Sequence, residues 1–253
     1  MTTKTHRMRY GFYLVAFIDV LGQQDGLKKL ANVPPSENNR DEIFNLLLST
    51  ASRVRTLRET FTDAFMTLPG HLRENAEKVS PQTRDHYLEF TSAFEFFHTG
   101  FSDAFVIGIP LFPDDRFASA RNAMALVAVL HAIAYVALKA MGEWGIPIRG
   151  GVDVGVGVDL YPNEIFGPVT VSAYTLESKI ADYPRIVIGS GLLNYVSWLE
   201  ATQGSDWNAV KTRELAATCR RVVREAPDDT PMLHICGASV LRMALEIRRS
   251  FRN

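Results

Sequence analysis

Two aspartates carry the chemistry legible in this chain of 253 residues. Asp19 closes the apolar run Phe12–Ile18 (FYLVAFI). Asp103 ends the polar turn His98–Asp103 between two strand-like segments, Tyr87–Phe97 and Ala104–Leu111. A continuous run rich in aromatic and branched residues marks a strand buried on both faces, and two strands joined by a short Gly-containing turn make a hairpin. If the first strand lies beside the hairpin, the two carboxylates meet although 84 residues separate them in the chain. Paired carboxylates at strand ends suit Mg²⁺, which prefers hard oxygen ligands and shares its sphere with substrate phosphates. Taken singly, Asp19 would cap a turn and Asp103 would steady a hairpin. Together in this topology they form a metal pair.

The elements that must position them follow from periodicity. A helix is expected over Asp41–Phe61, where Ile43, Phe44, Leu47, Leu48, Ala51, Val54 and Leu57 share a face. Pro34 and Pro35 break the chain before it, and Thr67–His86, polar and holding two prolines, reads as a loop. Asn122–Leu138 (NAMALVAVLHAIAYVAL) is an Ala-rich helix with an apolar circumference. It is slightly short of the ~20 apolar residues of a membrane span and carries His131 near its middle. We expect no membrane span, and a helix packed against the sheet or a second subunit. Ile148–Val158 alternates, is Gly-rich, and reads as a strand whose backbone something approaches closely. Pro168 opens a helix to about Ala181, Arg185–Ile188 is a strand, and the remainder is mainly helical. The order predicts an α+β fold, the ferredoxin-like βαββαβ sheet. A single domain spans residues 1–253, with its core over about 10–195 and a helical extension over about 203–253.

Composition narrows the function. With 27 basic and 28 acidic residues, the net charge of -1 argues against a dedicated nucleic-acid binder. Cys219 and Cys236 cannot make a disulfide framework and form no CxxC pair for zinc. The run ending at Asp19 lacks the length and small-residue boundary of a signal peptide, so the expected compartment is the cytoplasm.

The residues around the acids resemble class III nucleotide cyclases. Phe17-Ile18-Asp19-Val20-Leu21-Gly22 resembles that family's F-x-D-I-x-G-F motif. Phe101-Ser102-Asp103-Ala104-Phe105 looks like its second metal motif, with serine in place of glycine. Arg149-Gly150-Gly151 through Gly155 resembles the R-x-G-I-x-x-G strand. Glu164-Ile165-Phe166-Gly167, Leu176-Glu177-Ser178 and Arg185–Ile188 follow in the family's order. The resemblance implies two-metal cyclisation: the 3′-hydroxyl of a nucleoside triphosphate attacks its own α-phosphate and pyrophosphate leaves. It implies two Mg²⁺ or Mn²⁺ per site, held by Asp19, Asp103 and the Val20 carbonyl. Backbone N–H groups of the loop Leu21-Gly22-Gln23-Gln24 would meet the triphosphate. It also implies a homodimer with active sites at the interface.

Several positions depart from the purine enzymes of that family. Thr99 and Glu164 stand where adenine- or guanine-selecting side chains belong. Val171 and Thr175 replace the ribose-binding Asn and the transition-state Arg. Lys179, Arg149 and Arg185 are candidates for the missing cation; each is otherwise a surface ion-pair or strand residue. The run of RGG, IFGP, AYTLES and YPRIV is more similar to the bacterial pyrimidine cyclases of antiphage (Pycsar) signalling. This implies UTP or CTP as substrate, Thr99, Glu164 and Tyr174 near the base, and a cyclic-nucleotide-responsive effector downstream. A catalytically degenerate cyclase fold that binds a nucleotide or a partner, and a purine (adenylate or guanylate) cyclase, are the alternatives. The Ala-rich helix is expected to contribute to the dimer interface.

Overall fold

A computed structural model of the chain describes residues 8–22, 28, 40–76, 80–81, 84–85, 88, 96–111, 118–161 and 163–250. The apolar run behind Arg9 forms β1 (Arg9–Val20), which lies between β3 (Ala104–Leu111) and β4 (Ile148–Tyr161) and pairs antiparallel with both. With β2 (Phe97–Phe101) outside β3, the sheet runs β2-β3-β1-β4. That is the order a ferredoxin-like βαββαβ chain produces. The connections are α1 (Arg40–Ala76) and α2 (Ala118–Glu143). Beyond β4 come β5 (Glu164–Phe166), α3 (Pro168–Thr175), a π-helical turn over Leu176–Ile180, and β6 (Ile186–Ile188), which pairs parallel with β4. Then follow α4 (Ser190–Glu200), α5 (Trp207–Arg221), the strands β7 (Val223–Glu225) and β8 (Pro231–Leu233), and α6 (Ala238–Ser250). The α+β class is as expected.

The period of two in β1 separates two cores. Leu14, Ala16, Ile18 and Val20 face the large layer with Leu57, Phe61 and Phe65 of α1 and Leu126 and Leu130 of α2. Tyr13 and Val15 face the opposite way, under Val169 and Ala173 of α3, with Phe17 packed against them. Asp19 continues this second row, so its carboxylate belongs to the α3 side of the sheet. Directly opposite on β4 stand Arg149, Gly151 and Asp153.

Every residue of α2 from Asn122 to Ala137 is buried. The helix packs against α1, α5, α6 and the sheet, and alanine lets these neighbours approach closely. By length and composition it could cross a membrane, yet 78% of its apolar window is buried inside the protein. The expected dimer contact through Asn122–Leu138 is therefore corrected: the apolar circumference is covered within one chain.

Other elements also differ from expectation. α1 continues past Phe61 and Pro69 to Ala76, where a loop was expected. Leu88 is helical and the strand begins at Phe97; residues 87 and 89–95 of the expected strand, and the Pro34–Pro35 break, lie outside the described residues. His98, Thr99 and Gly100, read as turn, are strand residues paired with Ile107, Val106 and Phe105. The turn needs only Ser102 and Asp103. The C-terminal part is not purely helical, since β8 and β7 extend the sheet beyond β6.

Candidate active site

The ends of three strands bring the acids together. Asp19 lies opposite Ala104 on β3 and opposite Arg149 on β4. Its chain neighbour Val20 donates its N–H to the Asp103 carbonyl at 3.3 Å. Asp103 thus sits at the hairpin tip beside the end of β1, and both aspartates are only 7% exposed. The tip is tight: Ser102 has φ 55°, the left-handed value that the first loop residue of a type II′ hairpin adopts. Glycine is the usual residue there.

The electrostatics are those of acids crowded together out of water. Burial pushes the Asp19 carboxyl above its usual range, the neighbouring Asp103 charge adds to this, and Arg149 opposes it. Asp103 Oδ2 is buried with no hydrogen-bond partner among the described residues. A buried carboxylate oxygen without a partner is costly unless a cation or water completes it. That orphaned atom fits a hard divalent ion. Among the described residues no three acidic, His or Cys side chains form a ready-made metal cluster. A cation here would take the two carboxylates and complete its sphere with carbonyl, water and phosphate oxygens, the usual manner of Mg²⁺.

Arg149 crosses the site. Its Nε donates to Asp19 Oδ2 at 3.2 Å and lies 2.7 Å from Glu177 Oε1. One N–H cannot align with both oxygens, so the Glu177 contact is an ion pair without an aligned hydrogen bond, and Glu177 Oε1 stays unsatisfied. Glu177 is 2% exposed, and burial raises its carboxyl pKa against the pull of Arg149. Sequence reasoning quoted Glu177 within a motif but did not place it in the site. Its position depends on the π-helical turn, closed by the Ala181 N–H bonding to the Leu176 carbonyl. Such turns recur at functional sites. Gly151 makes room for it: a Cβ there would collide with the Ala173 carbonyl and lie 2.5 Å from Leu176 Cβ and 2.7 Å from the Glu177 nitrogen. The missed signal was this pairing of a glycine on β4 with the single acid of the helical segment Pro168–Ile180.

The remaining expected residues divide. Tyr174, half-exposed, sets its ring edge-on to Phe17 at 5.4 Å, and Thr99 shares the row Thr99–Val106–Phe17 across the sheet. Both border the acids on the α3 side. Glu164 does not: it pairs with Tyr161, twelve residues along β4 from Arg149, roughly 40 Å at strand spacing. Lys179 is exposed on the π-helical turn, which displaces it from the regular helical spacing after Thr175. Arg185 is corrected from catalytic cation to structural bracket. Its two terminal guanidinium nitrogens are spent on Asp228 (2.8 Å), Asp182 (3.1 Å) and the Ile180 carbonyl (2.6 Å), and it stacks on Tyr183. It ties the exit of the π-helical turn to the β7–β8 turn. The Leu21 N–H already bonds the Pro147 carbonyl at 2.9 Å and is not free for phosphate. Gly22 is left-handed with φ 82°, and Gln23 and Gln24 lie outside the described residues.

No family model and no curated protein sequence matches the chain. Among solved structures, the monomeric guanylyl cyclase domain of the RhoGC fusion protein from the aquatic fungus Blastocladiella emersonii is similar at 12% identity and TM-score 0.45. The match covers 90% of this chain and 96% of that one. The guanylate cyclase domain of RhGC from Catenaria anguillulae, in complex with GTP, matches at 15% identity and TM-score 0.40, covering 90% and 95%. A class III adenylyl cyclase-like ATP-binding protein from Pseudomonas aeruginosa matches at 11% identity and TM-score 0.41, covering 97% of this chain and 44% of that one. Likenesses at this level carry no inference about activity.

Proposed function

We propose that the protein is a nucleotide cyclase that converts UTP or CTP to the 3′,5′-cyclic monophosphate and pyrophosphate. The observation that carries this is the meeting of Asp19 and Asp103 at adjacent strand ends, with a buried Asp103 oxygen left for a cation. Asp19, Asp103 and the Val20 carbonyl would hold Mg²⁺ or Mn²⁺. Bound there, the ions would supply Lewis-acid activation of the 3′-hydroxyl and neutralise charge on the phosphates. The 3′-oxygen bonds to the α-phosphorus, the bond from that phosphorus to the bridging oxygen breaks, pyrophosphate leaves, and the hydroxyl proton goes to solvent. Arg149, already at the acids and one-quarter exposed, is the cation placed to meet the phosphates where the family's Arg is replaced by Thr175. Glu177 would hold it in place.

The pyrimidine preference rests on the motif resemblance and on Thr99 and Tyr174 bordering the acids. Thr99 is a hydroxyl where the resemblance implies a charged purine selector, and discrimination by buried hydrogen bonds is strong. Glu164, distant along β4, would serve only a site completed by a second copy, as the family resemblance implies. The cyclic product would act as a messenger for a cyclic-nucleotide-responsive effector in antiphage defence. Incubating the purified protein with each of the four ribonucleoside triphosphates and Mn²⁺ tests the reading. Cyclic UMP or cyclic CMP should dominate; cyclic AMP or cyclic GMP as the main product would overturn the pyrimidine assignment and leave a purine cyclase.

A second reading, a degenerate fold that binds a nucleotide without turnover, is favoured by Val171 and Thr175, both exposed on α3 where the family's ribose and transition-state groups belong. Nucleotide binding with no cyclic product from any of the four would select it.

A further inference from the structure

On the opposite side of the β2–β3 hairpin from the acids, a cavity of about 540 Å³ opens between α1 and the sheet edge. That volume accommodates a small molecule, and ligand sites of this size are typically lined by apolar groups with a few placed polar ones. Ala51 and Val54 supply apolar wall, and Thr62, His98 and Ser102 supply hydroxyl and imidazole groups. The central group is Arg58. Its guanidinium lies against Gly100, where a Cβ would collide with it, so the glycine is what lets the arginine reach under β2.

Arg58 makes no side-chain hydrogen bond or ion pair with any described residue, and its Nε is buried without a partner. Burial alone pulls its pKa below the usual arginine value. Elsewhere in the described residues, Arg149 and Arg185 are engaged by carboxylates. Two acids also line the cavity. Glu59 is already matched by Arg55 at 2.7 Å, and Asp63 is exposed, so its charge is screened by water. His98 is held toward its neutral form by burial and by the Arg58 charge, which leaves it both a donor and an acceptor. The cavity therefore offers one planar, partly buried cation with its fork unengaged, beside the mutually paired Arg55 and Glu59, the exposed Asp63, and the hydroxyl and imidazole groups of Thr62, His98 and Ser102.

We propose that this cavity binds a small molecule, up to mononucleotide size, whose phosphate or carboxylate is held by the Arg58 guanidinium. The fork of a guanidinium matches either anion through two parallel hydrogen bonds. Ser102, which lines the cavity, is the chain neighbour of Asp103, so an occupant would lie against the hairpin tip. The proposal concerns binding and stands apart from whether the protein is a cyclase.

The test uses the full chain in EDTA, so that metal-dependent binding at the acids is absent. The probes are inorganic phosphate, UMP and citrate, followed by titration calorimetry. At least one probe should bind. Binding should weaken about tenfold or more in Arg58→Gln, as loss of a charge-assisted hydrogen bond implies, and less in Arg58→Lys. It should persist in Asp19→Asn. Binding by UMP and phosphate assigns a phosphate ligand, and binding by citrate alone assigns a carboxylate. Should Arg58→Gln not fold, modification of wild-type Arg58 by phenylglyoxal, read by mass spectrometry, must be slowed by the bound probe. No binding by any probe at 5 mM, binding unchanged in Arg58→Gln, or no protection of Arg58 would each overturn the proposal.

Discussion

At the scale of single residues, the site is a set of acids held at some cost to the fold. Asp19 has a folded pKa above its ordinary value, so the charged form is disfavoured in the metal-free protein. The sign follows: a carboxyl with a raised folded pKa loses stability as pH rises through its unfolded value, about 3.9, toward the folded one. At neutral pH in EDTA, Asp19→Asn should therefore raise the Tm by a few degrees. Added Mn²⁺ should raise the Tm of the wild type and leave that of the variant nearly unchanged; thermal denaturation checks both. The two aspartates were legible in the sequence because Asp19 ends an apolar strand and Asp103 immediately precedes one. Glu177 was not, since an acid on a helix is ordinarily solvated. Only the glycine opposite it, which draws the helix onto β4, explains its burial. Arg185 misled for the converse reason: a basic residue beside a strand gives no sign of the acids waiting for it, Asp182 and Asp228. If it is a bracket, Arg185→Ala should cost about 2 kcal/mol in urea denaturation. It should also leave kcat/KM of the folded enzyme within about threefold of wild type. A catalytic arginine would show the opposite split.

At the scale of elements, β1, β3 and α2 were legible from unbroken apolar runs, since burial on two sides leaves no alternation to misread, and β4 was legible from its Gly-rich alternation. The start of β2 was not, because His98, Thr99 and Gly100 look like a turn and become a strand only through pairing with β3. The end of α1 was obscured by Pro69, which argues locally for a break. The π-helical turn is invisible to a period of 3.6, and it decides where Lys179 and Glu177 point. Gly151→Ala tests its seating. The added methyl has no space against Ala173 and Glu177, so stability should fall by about 1–3 kcal/mol and activity with it. Within α2, His131 is 5% exposed and bonded to the Val127 carbonyl at 2.8 Å, and burial lowers its pKa. A histidine with a lowered folded pKa costs stability as pH falls through its unfolded value of about 6.5. Between pH 8 and pH 5 the wild type should therefore lose more Tm than His131→Gln.

At the scale of the whole molecule, the chain covers its most apolar helix by itself and leaves other groups uncovered. Val171 and Tyr174 on α3 are each more than half exposed on the side of the sheet that carries the acids, and Phe166 on β5 is more than half exposed on the opposite face. A second copy that places its Glu164 near the first copy's acids would bring together residues that one chain holds far apart. The protein should accordingly be a dimer by light scattering at micromolar concentration, and its interface should be sensitive to Tyr174→Asp and insensitive to exposed changes on α5. The central claim, that Asp19 and Asp103 together cyclise a nucleoside triphosphate, is tested most directly by one assay. Product and pyrophosphate are quantified by mass spectrometry for wild type, Asp19→Asn and Asp103→Asn with UTP and CTP in Mn²⁺. Wild type should form cyclic nucleotide and pyrophosphate in equal amounts, and each variant, still folded, should be slower by about a thousandfold or more. A folded variant that keeps near-normal turnover would contradict the claim.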